Sequence, residues 1–374
     1  MTSRIKDGHI GYREVGATLT VMLTTKIFLS CPRAPIVEGH TAGWMIPLVG
    51  AIIALIGMWP LIYLMQREPD HNLIQMAEDH GGPVAGLFIG IVMSCYFLVA
   101  IVMIVRQFTE TVIVALLPTT PISVITILFL MGMMYAAYQG IESLTRTAWL
   151  LMPFILLGMI GVLLLTFPRA DFDRMFPIWG VGLKKIMAFG LLRSSLYSEI
   201  LIMGMLNPMI RERDKIKPLM ITVLSFSGIL FALTILVYVL VFDLPAAISS
   251  GTYPLYNLAR LIDYGRFVQR VESIFIFIWV FSMLVNMATL FYGLCISLAS
   301  TLKVPIYQPL IFPLAVLIYA LVFMIPNFPY AVWLDTKVLH EYSFLVSISI
   351  PVLVVFLVKL KPKRGGAGRA QKAS

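Results

Sequence analysis

The chain has 374 residues, of which 59% are hydrophobic and 13% charged, and it carries a formal net charge of +9. A soluble domain of this composition would leave too much apolar surface in water, so the chain belongs in a lipid bilayer. Its basic residues lie in short connections and in the tail, which is the pattern of membrane topology and leaves no role for nucleic acid.

With roughly 20 apolar residues per crossing, the sequence predicts ten spans. They lie near 14–33, 43–65, 84–106, 122–139, 147–167, 186–206, 219–242, 272–299, 306–325 and 341–359. Pro32, Gly81-Gly82-Pro83, Pro121, Pro168, Pro208 and Pro305 fall at or near their ends. The first segment has no small-residue cleavage site and reads as the first span, not a removable signal. The expected organisation is a short segment 1–13, one transmembrane domain 14–359 with halves of about 14–167 and 186–359, and a basic tail 360–374. Of the 28 Lys and Arg residues, sixteen fall on the inner side if the N-terminus is cytoplasmic and ten on the outer, which favours both termini in the cytoplasm. The 66–83 connection predicts a short amphipathic helix capped by Asn72 at the membrane surface. Apolar spacing at Leu255, Leu258, Leu261 and Ile262 predicts a covering helix in the 243–271 connection. The Gly-rich tail is expected to be disordered near anionic headgroups.

Two spans carry charge near their middles. The first contains Lys26, about 12 residues in and so about 18 Å along a helix, beside Thr24 and Thr25. The sixth contains Arg193-Ser194-Ser195 and Glu199. Charge at that depth faces a partner or a water-filled cavity. The first and sixth spans are also the equivalent pair when ten helices are built from two inverted repeats of five, with a solute site at their midplane breaks. Lys26 is therefore either half of a structural ion pair, with Glu199 the natural partner, or the ammonium that holds a substrate carboxylate. Positions 193 and 199 differ by about 240° on an unbroken helix. A local break at 194–198 would let both point inward and would free backbone N–H groups for an anion. Tyr96 in the third span and Asn286 in the eighth read first as interhelical hydrogen-bonding groups and second as ligand contacts, since those spans flank the site in such bundles. The candidate ligand-binding set is Thr24, Thr25, Lys26, Tyr96, Arg193, Ser194, Ser195, Glu199 and Asn286. The three cysteines have no short spacing, and the five histidines fall in loops or at segment ends without ligand spacing. The sequence predicts no metal site, no cofactor and no enzymatic chemistry, having neither a phosphate-binding glycine loop nor a nucleophile elbow.

At these residues the chain resembles the B-subunit family of spore-germination nutrient receptors, a branch of the amino acid–polyamine–organocation transporter superfamily. The stretch from Tyr253-Pro-Leu-Tyr to Arg270-Val-Glu-Ser and Trp279 carries the resemblance most specifically. Leu29-Ser-Cys-Pro-Arg33 looks like the Leu-Pro-Arg element closing the family's first helix, and Glu199 falls where its sixth helix carries a glutamate. One departure stands out, in that Thr24-Thr25-Lys26 replaces a small, Gly-containing break. The resemblance implies an all-α integral membrane protein with a five-plus-five inverted repeat of the LeuT kind. It also implies a subunit in the spore inner membrane that recognises a small nutrient, with an amino acid as the expected class. The partners implied are an A subunit and a lipoprotein C subunit. A cation- or proton-coupled amino acid permease, and an assembly scaffold with a vestigial pocket, are the alternatives.

Overall fold

The computed structural model describes residues 8–249, 253–263 and 271–360. Seven of its helices are long and apolar enough to cross a bilayer: Met45–Arg67, Pro83–Val114, Gly140–Arg169, Leu183–Met209, Arg213–Val241, Ile276–Leu302 and Phe328–Leu360. An eighth crossing is the pair Tyr12–Phe28 and Arg33–Ala42, bent by 62° at its break. Two shorter apolar helices, Ile122–Tyr138 and Gln308–Met324, have 17 residues each. That is the lower limit of what reaches across the hydrocarbon core. Taken in order, these make the ten spans that hydropathy predicts.

Several boundaries move by six residues or more, two of them furthest. The first span does not end at Pro32 but turns there and continues to Ala42, because proline resets the chain without forbidding a new helix after it. The tenth begins at Phe328, well before 341, because Asp335, Lys337 and His340 dilute its hydropathy.

Burial separates centre from rim. In their apolar 18-residue stretches the sixth, seventh and eighth spans are 72% buried inside the protein, whereas the fifth and tenth are only 28% and 33% buried and turn mostly outward. The first span is enclosed on all sides, with every residue from Val15 to Thr25 buried, and its four threonine hydroxyls are satisfied by carbonyls four residues earlier in the same helix. Packing repeats between the halves. The third span packs on the eighth and the second on the seventh, while the first packs on the fifth as the sixth does on the tenth.

Helix Leu73–Gly81 forms as predicted, with Asn72 and Gln75 in a reciprocal capping box. In the 243–271 connection, helix Pro254–Arg260 buries Leu255, Leu258 and Ala259 against the bundle. Arg266 and the tail 361–374 lie outside the described residues. The start of the first span is tied to the chain leaving the sixth by an isolated bridge, with Ile10 N–H donating to Met209 O at 2.9 Å and Arg211 N–H to Ile10 O at 3.1 Å.

Candidate functional site

Three spans abandon regular α-helix at one level of the bundle. The first tightens into a 3-10 turn at Lys26–Phe28, after which Leu29 is extended (φ −90°, ψ −164°) and Leu29–Pro32 forms an elbow. The sixth runs as α-helix to Arg193 and then as nine residues of 3-10 helix, Ser194–Ile202. Runs beyond 3–4 residues are uncommon in that form and mark sites under constraint. The tenth contains a π-helical turn, Asp335–Leu339.

The 3-10 geometry explains how Lys26 is met. Groups three residues apart eclipse one another in that helix, so the Leu196 carbonyl and the Glu199 side chain face the same neighbour. Lys26 Nζ donates to Leu196 O at 2.7 Å and stands 3.1 Å from Glu199 Oε1. Lys26 is 3% exposed and Glu199 1%. Neither carboxylate oxygen receives an aligned hydrogen bond, so the ammonium contact is what compensates its burial. The expected partnership of the first and sixth spans is thus present as an ion pair, closed in this conformation. Phe28, directly after the lysine turn, stacks on Trp279 at 6.0 Å between ring centroids, and Phe108 meets the same indole edge-on.

The other predicted residues divide into groups. Tyr96 OH lies 2.8 Å from Ser198 Oγ. Ser198 gives its own hydrogen to Ser195 O at 2.7 Å, so the tyrosine is the donor. Ser195 Oγ accepts the backbone N–H of Phe344 at 3.0 Å, satisfying an amide just past the π turn. Ser194 turns back to Leu191 O. Asn286 Nδ2 reaches Met22 O at 3.4 Å, and its buried Oδ1 has no hydrogen-bond donor. Thr24 and Thr25 do not meet freed backbone groups, because each hydroxyl bonds the carbonyl four residues earlier in its own helix.

Arg193 is placed differently from its sequence expectation. Its guanidinium forks onto Glu38, with Nε donating to Oε2 at 3.0 Å and Nη2 to Oε1, and Nη1 reaches Thr336 O at 3.3 Å. Glu38 lies beyond the elbow, in a stretch that hydropathy assigns to a loop, so nothing in the sequence paired it with Arg193. Sequence reasoning also missed a second polar group. Ser30 donates to Gln107 Oε1 at 2.8 Å, Gln107 Nε2 is buried without a hydrogen-bond acceptor among the described residues, and Asp335 holds His340, whose far nitrogen faces Cys31. His340 is not at a segment end but buried inside the tenth span. A separate open cavity of about 540 Å³ lies at the start of the first span. His9, Arg13, Glu142, Arg211 and Glu212 wall it, and Lys26 and Glu199 do not.

A membrane bundle with helices broken at matched positions is also found in solved structures of similar fold. A nucleobase-cation-symport-1 family transporter, MHP1, solved closed with bromovinylhydantoin bound, superposes with a TM-score of 0.63 at 12% identity, covering 96% of this chain and 95% of that one. A Na⁺-coupled sialic acid symporter, in a substrate-bound outward-open state, gives 0.64 at 11% identity, covering 94% and 80%. The fold is therefore the LeuT-like five-plus-five arrangement. The family profile described as spore germination protein matches residues 17–329, and the chain belongs to that family. Among its relatives, spore germination protein B2 of Bacillus subtilis (strain 168) is 23% identical over 363 residues, 93% of this chain and 95% of the relative. Spore germination protein KB of the same organism is 25% identical over 248 residues, 64% and 66% respectively. Family and fold together define a transporter- or receptor-type membrane protein, not an enzyme.

Proposed function

We infer that this protein is the membrane-embedded recognition subunit of a germinant receptor, acting with an A subunit and a lipoprotein C subunit in the spore inner membrane, both termini in the cytoplasm. The observation that carries this reading is the buried Lys26–Glu199 pair at the breaks of the first and sixth spans, in a chain of the spore germination family. An amino acid is the solute class that suits the pair. Its ammonium can take the carboxylate of Glu199, which lacks aligned donors, and its carboxylate can take Lys26. Binding then exchanges one ion pair for two, and the bundle shifts only as far as the solute's differential affinity for the open and closed states allows. Tyr96, Ser195 and Asn286 line or brace the same level, and Arg193 holds the far half of the first span in place.

The test is thermal unfolding of the purified protein against a panel of amino acids, repeated on Lys26→Ala and Glu199→Ala. Solute at a hundred times its dissociation constant adds about 2.7 kcal/mol of apparent stability. Stabilisation by one amino acid, lost in both variants, is the expected result. Stabilisation untouched by either change removes the pair from recognition. The likeness to cation-coupled symporters favours a second reading, coupled amino acid uptake. Accumulation in proteoliposomes without partner subunits, driven by an ion gradient, would establish it.

A further inference from the structure

The second polar group has a composition the solute site does not use. Cys31 lies in the elbow of the first span, and Asp335 and His340 stand at either end of the π turn in the tenth. Cys31 Sγ is 3.7 Å from His340 Nε2, and His340 Nδ1 is 3.1 Å from Asp335 Oδ2. All three residues are buried, at 6%, 5% and 2% exposure. One donor atom from each lies within 4.8 Å of the other two. Two donors bound 2.0–2.3 Å from one ion stand at most about 4.6 Å apart, and a sulfur and a nitrogen at a tetrahedral angle about 3.6 Å apart. The Cys31–His340 spacing already meets this with Nε2 as the ligating nitrogen; Asp335 faces the other nitrogen, Nδ1, and joins the ion by a side-chain rotation that leaves Nδ1 to the Asp335 backbone carbonyl at 3.0 Å.

The backbone supplies an independent argument. On a regular α-helix residues five apart are rotated by about 140° from one another, so Asp335 and His340 would face different neighbours. The π turn closes i to i+5 and stacks them. Such turns are rare and occur frequently at functional sites. Here the distortion delivers a carboxylate and an imidazole to one spot opposite a thiol.

We propose that Cys31, His340 and Asp335 are the ligands of a divalent transition-metal ion of the zinc class. The donor set is the reason for the class. A thiolate with an imidazole selects zinc-like ions over magnesium or calcium, which prefer oxygen alone. Charge is the second reason. A thiolate, a carboxylate and a neutral imidazole around a dication sum to zero, which suits a site away from water better than either anion alone. Binding takes the proton from the Cys31 thiol, and from His340 where it carries a second one, and releases it to solvent. The ion replaces the contact between Cys31 and His340 and ties the elbow to the tenth span. The site lies within electrostatic reach of Lys26 and Glu199, but its assignment does not depend on the solute reading.

The test uses the full-length protein in detergent, stripped with a chelator and titrated with Co²⁺. One equivalent is expected to raise a cobalt–thiolate charge-transfer band that Zn²⁺ abolishes. The band should be absent in Cys31→Ser, and Asp335→Asn should weaken Co²⁺ binding by about tenfold or more, since losing a ligand costs at least as much as losing the partner behind one. A second measurement needs no variant. Zn²⁺ should slow alkylation of Cys31 at least tenfold, read by mass spectrometry, while the exposed Cys95 reacts at an unchanged rate. A band that persists in Cys31→Ser overturns the assignment. So does Cys31 alkylation indifferent to Zn²⁺, which would leave a hydrogen-bonded thiol–imidazole–carboxylate triad acting without metal.

Discussion

Lys26→Met keeps most of the side-chain volume and removes the charge, leaving Glu199 buried without its partner. At 3.1 Å and an effective dielectric of about 20 the attraction is about 5 kcal/mol, opposed by several kcal/mol of desolvation for each ion. The pair is therefore close to neutral as a unit and costly to halve. Either single change, Lys26→Met or Glu199→Leu, is expected to lose about 3–5 kcal/mol, whereas the double variant should fall within about 1 kcal/mol of the parent or exceed it. The assay is reversible denaturant unfolding in detergent micelles, followed by two probes so that a single transition is demonstrated. The double-mutant cycle then isolates the coupling. If the double variant loses the sum of the singles, the two charges are not coupled. If each single costs under about 1 kcal/mol, water reaches the pair and the closed, desolvated site described above is wrong.

Three further outcomes follow from neighbouring contacts. Arg193→Lys should lose about 1–3 kcal/mol in the same assay, because an ammonium cannot fork onto Glu38 and also reach Thr336 O; an unchanged midpoint would mean the fork bears no load. Gly50→Ala should destabilise by about 1–3 kcal/mol through overpacking, since a Cβ there would stand 3.1 Å from Ser194 N and 3.2 Å from the Arg193 carbonyl. Those are backbone atoms of the break and cannot swing aside, so a neutral result would show that the second span is free to retreat. The last outcome concerns pH. Glu212 accepts the Tyr12 backbone N–H at 3.0 Å, which holds its carboxyl below the ordinary value of 4.5. A depressed carboxyl contributes stability that is present above about pH 4.5 and lost as pH falls through its folded value. The thermal midpoint of the parent should therefore exceed that of Glu212→Gln at pH 7 and converge with it on acidification; a constant gap would refute the assignment.

Legibility in the sequence followed the range of the interactions. All ten spans were readable, because each is a local run of apolar residues between prolines and glycines. The Lys26–Glu199 pair was readable too, because charge inside an apolar run is conspicuous without knowledge of what lies opposite. The break after Arg193 was expected so that Arg193 and Glu199 could share a direction; the break is there, but the two side chains take different partners, Glu38 and Lys26. What could not be read were partners whose own surroundings look ordinary. Glu38 sits in what hydropathy marks as a loop: Pro32 signals the turn, but nothing in composition shows that the chain resumes as helix after it and aims Glu38 at Arg193. Cys31 and His340 are 309 positions apart, and the π turn that presents His340 has no periodicity of its own in five residues.

The two broken spans run in opposite directions and are joined at three heights. Ile10 with Met209 and Arg211 joins them at one end, Lys26 with Leu196 and Glu199 in the middle, and Glu38 with Arg193 at the other. They therefore resemble a ladder with backbone for its first rung and charged side chains for the other two. Breaking the middle rung alone leaves the outer two to keep register, so the two spans can part locally without detaching and still move as one body.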